Sequence, residues 1–224
     1  MPNEEYCMNL DLFDTLEPSD NRQQQLAQDA FVLRGFAIPY VTELLPALAA
    51  IQQAAPFRHL VTPGGLRMSV ALTNCGRLGW TSDRQGYRYT ATDPDSGRPW
   101  PAMPAVFLRL AQAAAAQAGF DAFMPDACLV NRYEPGTKLS LHQDKDEQDY
   151  NAPIVSVSLG IPALFQFGGH ARSDKAERVP LFHGDVVVWG GVDRLRYHGV
   201  LPLKEGQHPL LGRQRINFTF RKAG

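Results

Sequence analysis

Apolar residues recur along this chain with two different periods, and the change falls near residue 125. Residues 30–37 (AFVLRGFA) form an apolar run that predicts a strand. Residues 40–54 place apolar side chains every three or four positions, which predicts an amphipathic helix with Thr42 as a candidate cap. Residues 104–118 are rich in alanine and predict a second helix, ended by Gly119, where a left-handed residue closes a helix. Between the two helices, residues 56–101 are dense in glycine, proline and turn residues, with one strand-like run, MSVAL at 68–72, and read as a hairpin-and-loop lobe.

Beyond residue 125 the period shortens to two. Short alternating strands are expected at 128–133, 139–142, 154–159, 163–167, 185–189 and 216–220. Pro135-Gly136, Gly160-Ile161-Pro162, Gly168-Gly169 and Gly190-Gly191 punctuate them at the spacing of a β-sandwich or jelly-roll barrel. The chain reads as one mainly β domain with flanking helices. Residues 1–28 are expected to form a loose acidic arm, 29–124 the helical and loop-rich half, and 125–224 the β core. Met8 is an alternative start to Met1.

Charge changes this picture in one respect. The 224 residues carry a net −1, but residues 1–30 hold seven acids and one base, a net of −6, so the remainder carries +5. Residues 58–98 contain six arginines against three aspartates, interleaved with Trp80, Tyr87 and Tyr89. An arginine–aromatic mixture suits phosphate contact and base stacking; a solvated loop with ordinary arginines is the competing reading. Cys7, Cys75 and Cys128 are odd in number and scattered, which argues against a disulfide framework and for a reducing compartment, the cytoplasm. No apolar stretch is long enough to span a bilayer, and Arg109, Gln112 and Gln117 interrupt the best one. Nothing in the sequence calls for an obligate protein partner.

The candidate chemistry starts at His142-Gln143-Asp144. On a strand, residues i and i+2 share a face, so an imidazole and a carboxylate can reach one metal ion. A histidine from a distant strand would complete a 2-His-1-carboxylate triad, the open-sided set of non-haem iron(II) oxygenases. His-x-Asp is short enough to arise by chance. His170 and His208 lie in turn-like surroundings, and periodicity does not choose between His183 and His198 for the second histidine. The C-terminal run RQRINFTFR is more informative: Ile216, Phe218 and Phe220 point one way, and Arg215, Asn217, Thr219 and Arg221 the other. A polar face on a core strand needs partners. Arg215 and Arg221 are about 20 Å apart along an extended strand, which leaves between their two arms room for a five-carbon diacid. Asn131 and Tyr133 share a face of their own strand and add two donors. The competing reading is an edge strand with a wet polar face.

Seven segments carry a family resemblance: TPGGLRMSVALTNCGRLGW (62–80), PDACLVNRY (125–133), LSLHQDKDE (139–147), PIVSVSLGIPALFQFGG (153–169), HGDVVVWGG (183–191), YHGV (197–200) and RINFTFR (215–221). In this order they resemble the bacterial AlkB demethylases, from about Phe31 to the C-terminus. The resemblance implies a double-stranded β-helix core, which is a jelly roll, with an N-terminal nucleotide-recognition lid. It implies His142, Asp144 and His198 as iron(II) ligands, leaving His183 a structural residue. It places 2-oxoglutarate against Asn131, Tyr133, Arg215, Asn217 and Arg221, with Arg132 flanking, and the damaged nucleotide against Trp80, Tyr87, Tyr89, Asp146 and Arg172. Leu66 departs from the pattern, which has an aromatic residue after TPGG.

The activity so implied is direct reversal of alkylation damage: oxidative demethylation of bases such as 1-methyladenine and 3-methylcytosine. 2-Oxoglutarate and O2 are consumed, and succinate, carbon dioxide and formaldehyde are released. The expected partner is single-stranded or locally opened double-stranded DNA, with RNA as a second candidate. Two rivals are the same chemistry on tRNA or a small molecule, and a non-enzymatic β-barrel binding module.

Overall fold

A computed structural model describes residues 22–224. The β-rich pattern of the C-terminal half forms as expected, and strands from the N-terminal half join it. The strands, in chain order, are β1 (Gln23–Ala27), β2 (Ala30–Leu33), β3 (Ala71–Gly76), β4 (Gly79–Asp83), β5 (Gly86–Thr90), β6 (Ala127–Tyr133), β7 (Leu139–His142), β8 (Ile154–Gly160), β9 (Ala163–Phe167), β10 (Glu177–Leu181), β11 (Val186–Trp189), β12 (His198–Val200) and β13 (Arg215–Arg221). The helices are α1 (Val41–Ala54) and α2 (Ala105–Gln117). A seven-stranded sheet runs β1-β2-β11-β8-β13-β6-β3, a four-stranded sheet runs β10-β9-β12-β7, and β4-β5 is a separate hairpin. All the strand pairs are antiparallel, the arrangement of a jelly-roll core.

Alternation along the strands divides the interior in two. Val155, Val157, Leu159, Val186, Val188, Ile216, Phe218 and Phe220 face away from the barrel and pack with Leu44, Leu48, Phe107 and Leu110 of the helices. Phe107 meets Phe218 edge-on at 4.8 Å between ring centroids. The opposite residues of the same strands turn inward. Ile154, Val187 and Trp189 join Phe165, Phe167, Leu181 and Val200 of the smaller sheet in a second core. Among the inward residues of β13 and β8 are also Arg215, Asn217, Thr219, Arg221, Ser156 and Ser158, all buried. Helices on one side therefore stabilise the strands by apolar contact, and the other side is free for polar work.

Several expected boundaries move, for local reasons. The 30–37 strand stops at Leu33, because Gly35 turns the chain at φ +63° and its N–H bonds to Asp185. Thr42 lies inside α1 and caps nothing: the helix starts from Tyr40, after a 3-10 turn at Ile38–Tyr40, with no side-chain cap. The 68–72 strand slides to β3, whose register is set by β6. The acidic arm expected at 1–28 is corrected at its C-terminal end: residues 23–27 are β1, whose polar glutamines pair by backbone with β2. Residues 1–21, with Met1, Cys7 and Met8, lie outside the described residues. β10 and β12 were not anticipated; three to five residues with a proline or a glycine give too weak a period. Among the described residues, no helix is long and apolar enough to cross a membrane.

Phe218 is fully buried against α2. Phe218→Ala is expected to cost about 3–5 kcal/mol of folding stability, read from the denaturant midpoint. A loss below about 1 kcal/mol would show that helix and sheet do not pack as described.

Candidate active site

β7 and β12 pair so that His142 and His198 are register partners, with ring centroids 4.4 Å apart. A close backbone approach makes this pairing possible. A Cβ on Gly199 would stand 2.7 Å from the Leu139 carbonyl oxygen, so any side chain there would push the two strands apart. Asp144 completes the group, its Oδ1 3.5 Å from His142 Nε2 and its Oδ2 3.6 Å from His198 Nε2. One donor atom from each residue lies within 4.8 Å of the others. β7 ends at His142, so strand alternation does not place Asp144; it stands in the irregular segment beyond.

Protonation fits metal binding. His142 Nδ1 lies 2.9 Å from the Ser140 carbonyl and His198 Nδ1 3.1 Å from the Arg196 carbonyl. A carbonyl only accepts, so each Nδ1 carries the proton and each Nε2 keeps its lone pair for the shared space. Burial, with His142 adding to it, lowers the pKa of His198 and keeps that ring neutral. Burial alone would raise the pKa of Asp144, but the Arg221 charge outweighs it and holds the carboxyl well below its usual range. Arg221 grips Asp144 Oδ2 through Nε at 2.9 Å and Nη2 at 2.6 Å. Two imidazoles and one carboxylate, converging with an open side at half-buried His142, are a donor set that fits iron(II).

Arg215 lies at the other end of the inward face. It is 1% exposed, its Nε donates to Ser158 Oγ at 2.9 Å, and its guanidinium stands 4.9 Å from the Tyr133 ring centroid. Its Nη1 has no hydrogen-bond partner, and among the described residues no carboxylate pairs with it. Burial lowers its pKa, with Tyr133 opposing. A buried guanidinium with a spare donor is a site for an anionic ligand group. Asn131 and Asn217 are register partners between the two arginines, and Asn217 is already bonded to Ser156 Oγ and the Val157 carbonyl.

Other expected residues are placed differently. Arg132 is on the far face of β6, its guanidinium 5.0 Å from the Phe57 ring centroid, and does not flank Asn131 and Tyr133. Strand alternation, applied one residue further, separates it from them. Trp80 and Tyr87 stack at 5.5 Å on the β4-β5 hairpin, and Trp80 Nε1 donates to Asp146 at 2.8 Å. Tyr89 turns inward to bond Glu147 at 2.6 Å, and burial raises its pKa well above the ordinary value. Arg172 is exposed on the loop after β9, and Leu66 is exposed in the lobe. His183 stacks on His208 at 4.2 Å, and its Nδ1 accepts from the Gly160 N–H, away from the cluster. Ser156, Ser158, Glu147 and Arg194 went unnoticed in the sequence. The two serines alternate with Val155 and Val157, a signal of inward polar positions on β8.

The family model described as the 2OG-Fe(II) oxygenase superfamily matches residues 29–221. The chain is 58% identical over 215 residues to the alpha-ketoglutarate-dependent dioxygenase AlkB of Escherichia coli (strain K12), covering 96% of this chain and 98% of that protein. The chain belongs to the AlkB family of 2OG-Fe(II) oxygenases. A more distant AlkB relative, 34% identical over 171 residues, is DNA N(6)-methyladenine demethylase ALKBH1C of Arabidopsis thaliana, with 65% of this chain and 38% of that protein aligned. The solved structure of OsALKBH1 superposes with a TM-score of 0.76 at 30% identity, covering 89% of this chain and 99% of that one. This AlkB-family chain is thus a dioxygenase that works with iron(II), 2-oxoglutarate and O2.

Cobalt(II), a spectroscopic substitute for iron(II), should bind the wild-type protein and His183→Ala alike, and bind His198→Ala at least tenfold more weakly. Titration of the visible absorption checks this. Equal affinity in His198→Ala would place the metal elsewhere.

Proposed function

We propose that this chain demethylates alkylated nucleic-acid bases oxidatively, with His142, Asp144 and His198 holding the iron. The observation that carries the substrate is the Trp80–Asp146 contact: half-buried Trp80, stacked on exposed Tyr87 of the β4-β5 hairpin, meets a carboxylate two residues beyond Asp144. A small diacid hydroxylase needs neither. Trp80 offers a face for stacking and for cation–π attraction, and Asp146 a negative charge, which together suit a cationic ring such as 1-methyladenine or 3-methylcytosine. Of the six arginines between residues 58 and 98, Arg58, Arg77 and Arg88 are paired with aspartates, and exposed Arg67, Arg84 and Arg98 supply positive charge for the phosphate backbone. The target base must leave its stack, so single-stranded DNA is the preferred partner and RNA the second. Two facing core thiols, Cys75 and Cys128, suit the reducing cytoplasm.

Arg215 binds the far carboxylate of 2-oxoglutarate, with Tyr133 and Ser158 orienting the guanidinium. Asn131 and Asn217 line the path between, and Arg221 fixes Asp144 and offers charge to the near carboxylate. The bound iron supplies the redox chemistry that couples reduction of O2 to decarboxylation of 2-oxoglutarate and oxidation of the methyl carbon. One oxygen atom ends in succinate and the other on the carbon, giving N–CH2OH. The C–N bond then breaks, the electron pair stays on the ring nitrogen, the hydroxyl proton is lost, and formaldehyde leaves. For a cationic base the product is neutral, so the attraction to Asp146 and Trp80 weakens on turnover and favours release.

Arg215→Ala should raise the 2-oxoglutarate requirement steeply, by about 3–5 kcal/mol of binding at most, and leave cobalt(II) affinity near wild type. Unchanged 2-oxoglutarate affinity by titration would assign the diacid to another cation. Trp80→Ala should weaken demethylation of a methylated oligonucleotide, with stacking worth about 1–3 kcal/mol, yet spare substrate-free conversion of 2-oxoglutarate to succinate. Asp146→Asn should penalise 3-methylcytosine more than uncharged 3-methylthymine. Equal losses on both lesions, or of both activities, would make these residues structural only.

A further inference from the structure

Residues 143–153 join β7 to β8 without helix or strand, yet they carry Asp144, Asp146 and Glu147. Backbone groups outside a ladder must find partners elsewhere. One side chain supplies three bonds to this segment. Arg194 donates from Nε to the Ala152 carbonyl at 3.1 Å, from Nη1 to the Asp144 carbonyl at 2.8 Å and from Nη2 to the Glu147 carboxylate at 3.0 Å. Its guanidinium also stands 5.6 Å from the Tyr150 ring centroid. Arg194 is 2% exposed and Glu147 6%, so neither is answered by solvent. Next in sequence, the Leu195 carbonyl accepts from Gln143 Nε2 at 2.6 Å, a second tie between the same two stretches.

Glu147 extends the connection. Its Oε1 accepts from the Tyr89 hydroxyl of β5 at 2.6 Å and lies 3.5 Å from Arg221 Nε. Asp144 is therefore held at both ends: Arg221 grips its carboxylate and Arg194 its own carbonyl. Through Glu147, the hairpin that presents Trp80 is tied to the same point.

We infer that Arg194 is a positioning residue, which sets the backbone that aims Asp144 at the metal and anchors the nucleotide-facing hairpin to it. This rests on the reading of His142, Asp144 and His198 as iron ligands. Three donors fixed in one plane reach three acceptors that no single ammonium can span. Arg194→Lys keeps a charge beside Glu147 but gives up that geometry, so it separates aiming from charge balance.

The test uses the metal-free full chain, cobalt(II) as the probe, and thermal denaturation alongside. Arg34→Met is the control, because it breaks the Arg34–Asp185 pair (2.7 Å) remote from the cluster. Arg194→Lys is expected to fold and to bind cobalt(II) about tenfold more weakly, as loss of a support behind a metal ligand does; Arg194→Met should be weaker still. Arg34→Met should lose stability without changing affinity. If Arg194→Met does not fold, Arg194→Lys decides alone. Wild-type affinity in folded Arg194→Lys overturns the positioning role. Affinity that is equal in the wild type and His198→Ala overturns instead the ligand assignment beneath it.

Discussion

Two guanidinium groups, Arg215 and Arg221, are buried on the inward face of one strand, and the rest of the site is arranged around their charge. Burying a cation is costly unless it is paired, and removing one partner of a buried pair typically costs about 3–5 kcal/mol. Arg221 is answered within the protein, by Asp144 and by Glu147. Among the described residues, Arg215 is answered only by a serine hydroxyl and the ring of a tyrosine, with one nitrogen left over. The asymmetry separates the two ends of the barrel: one completes a metal cluster, and the other is left for an anion that no described residue supplies. A five-carbon diacid satisfies both conditions at once.

The helices make this arrangement stable. Ile216, Phe218 and Phe220 alternate with the polar residues of β13 and pack on α2, so the strand is anchored by its apolar face whatever binds on the other. Stability and chemistry are thereby assigned to opposite sides of the same residues. Removing Arg215, which has no charged partner among the described residues, therefore perturbs binding before it perturbs folding, and removing an apolar outward side chain does the reverse.

That division was legible in the sequence wherever alternation ran for several residues. RINFTFR and LVNRY showed which side chains share a face, and the same period separates Arg132 from Tyr133, although the family resemblance had grouped them. Alternation did not distinguish His183 from His198, because one precedes a short strand and the other opens one. The distinction is made by register, His198 against His142, which no local pattern contains. Asp144 was found through its spacing, but it stands beyond the end of β7 and is held by two arginines distant in sequence. Arg194 and Glu147 gave no signal, since isolated charged residues normally read as solvated surface. β1 was hidden because its pairing uses backbone groups that any sequence carries.

If this site couples oxidation of 2-oxoglutarate to removal of a methyl group from a base, the ratio of its products is fixed. The most direct measurement is the stoichiometry of turnover on a single-stranded oligonucleotide carrying one 3-methylcytosine, with iron(II) and O2 supplied. One formaldehyde is expected for each cytosine restored, with one succinate above the substrate-free background, and no restoration when either iron or 2-oxoglutarate is omitted. Succinate formed without formaldehyde or restored base, at every substrate concentration, would contradict that coupling.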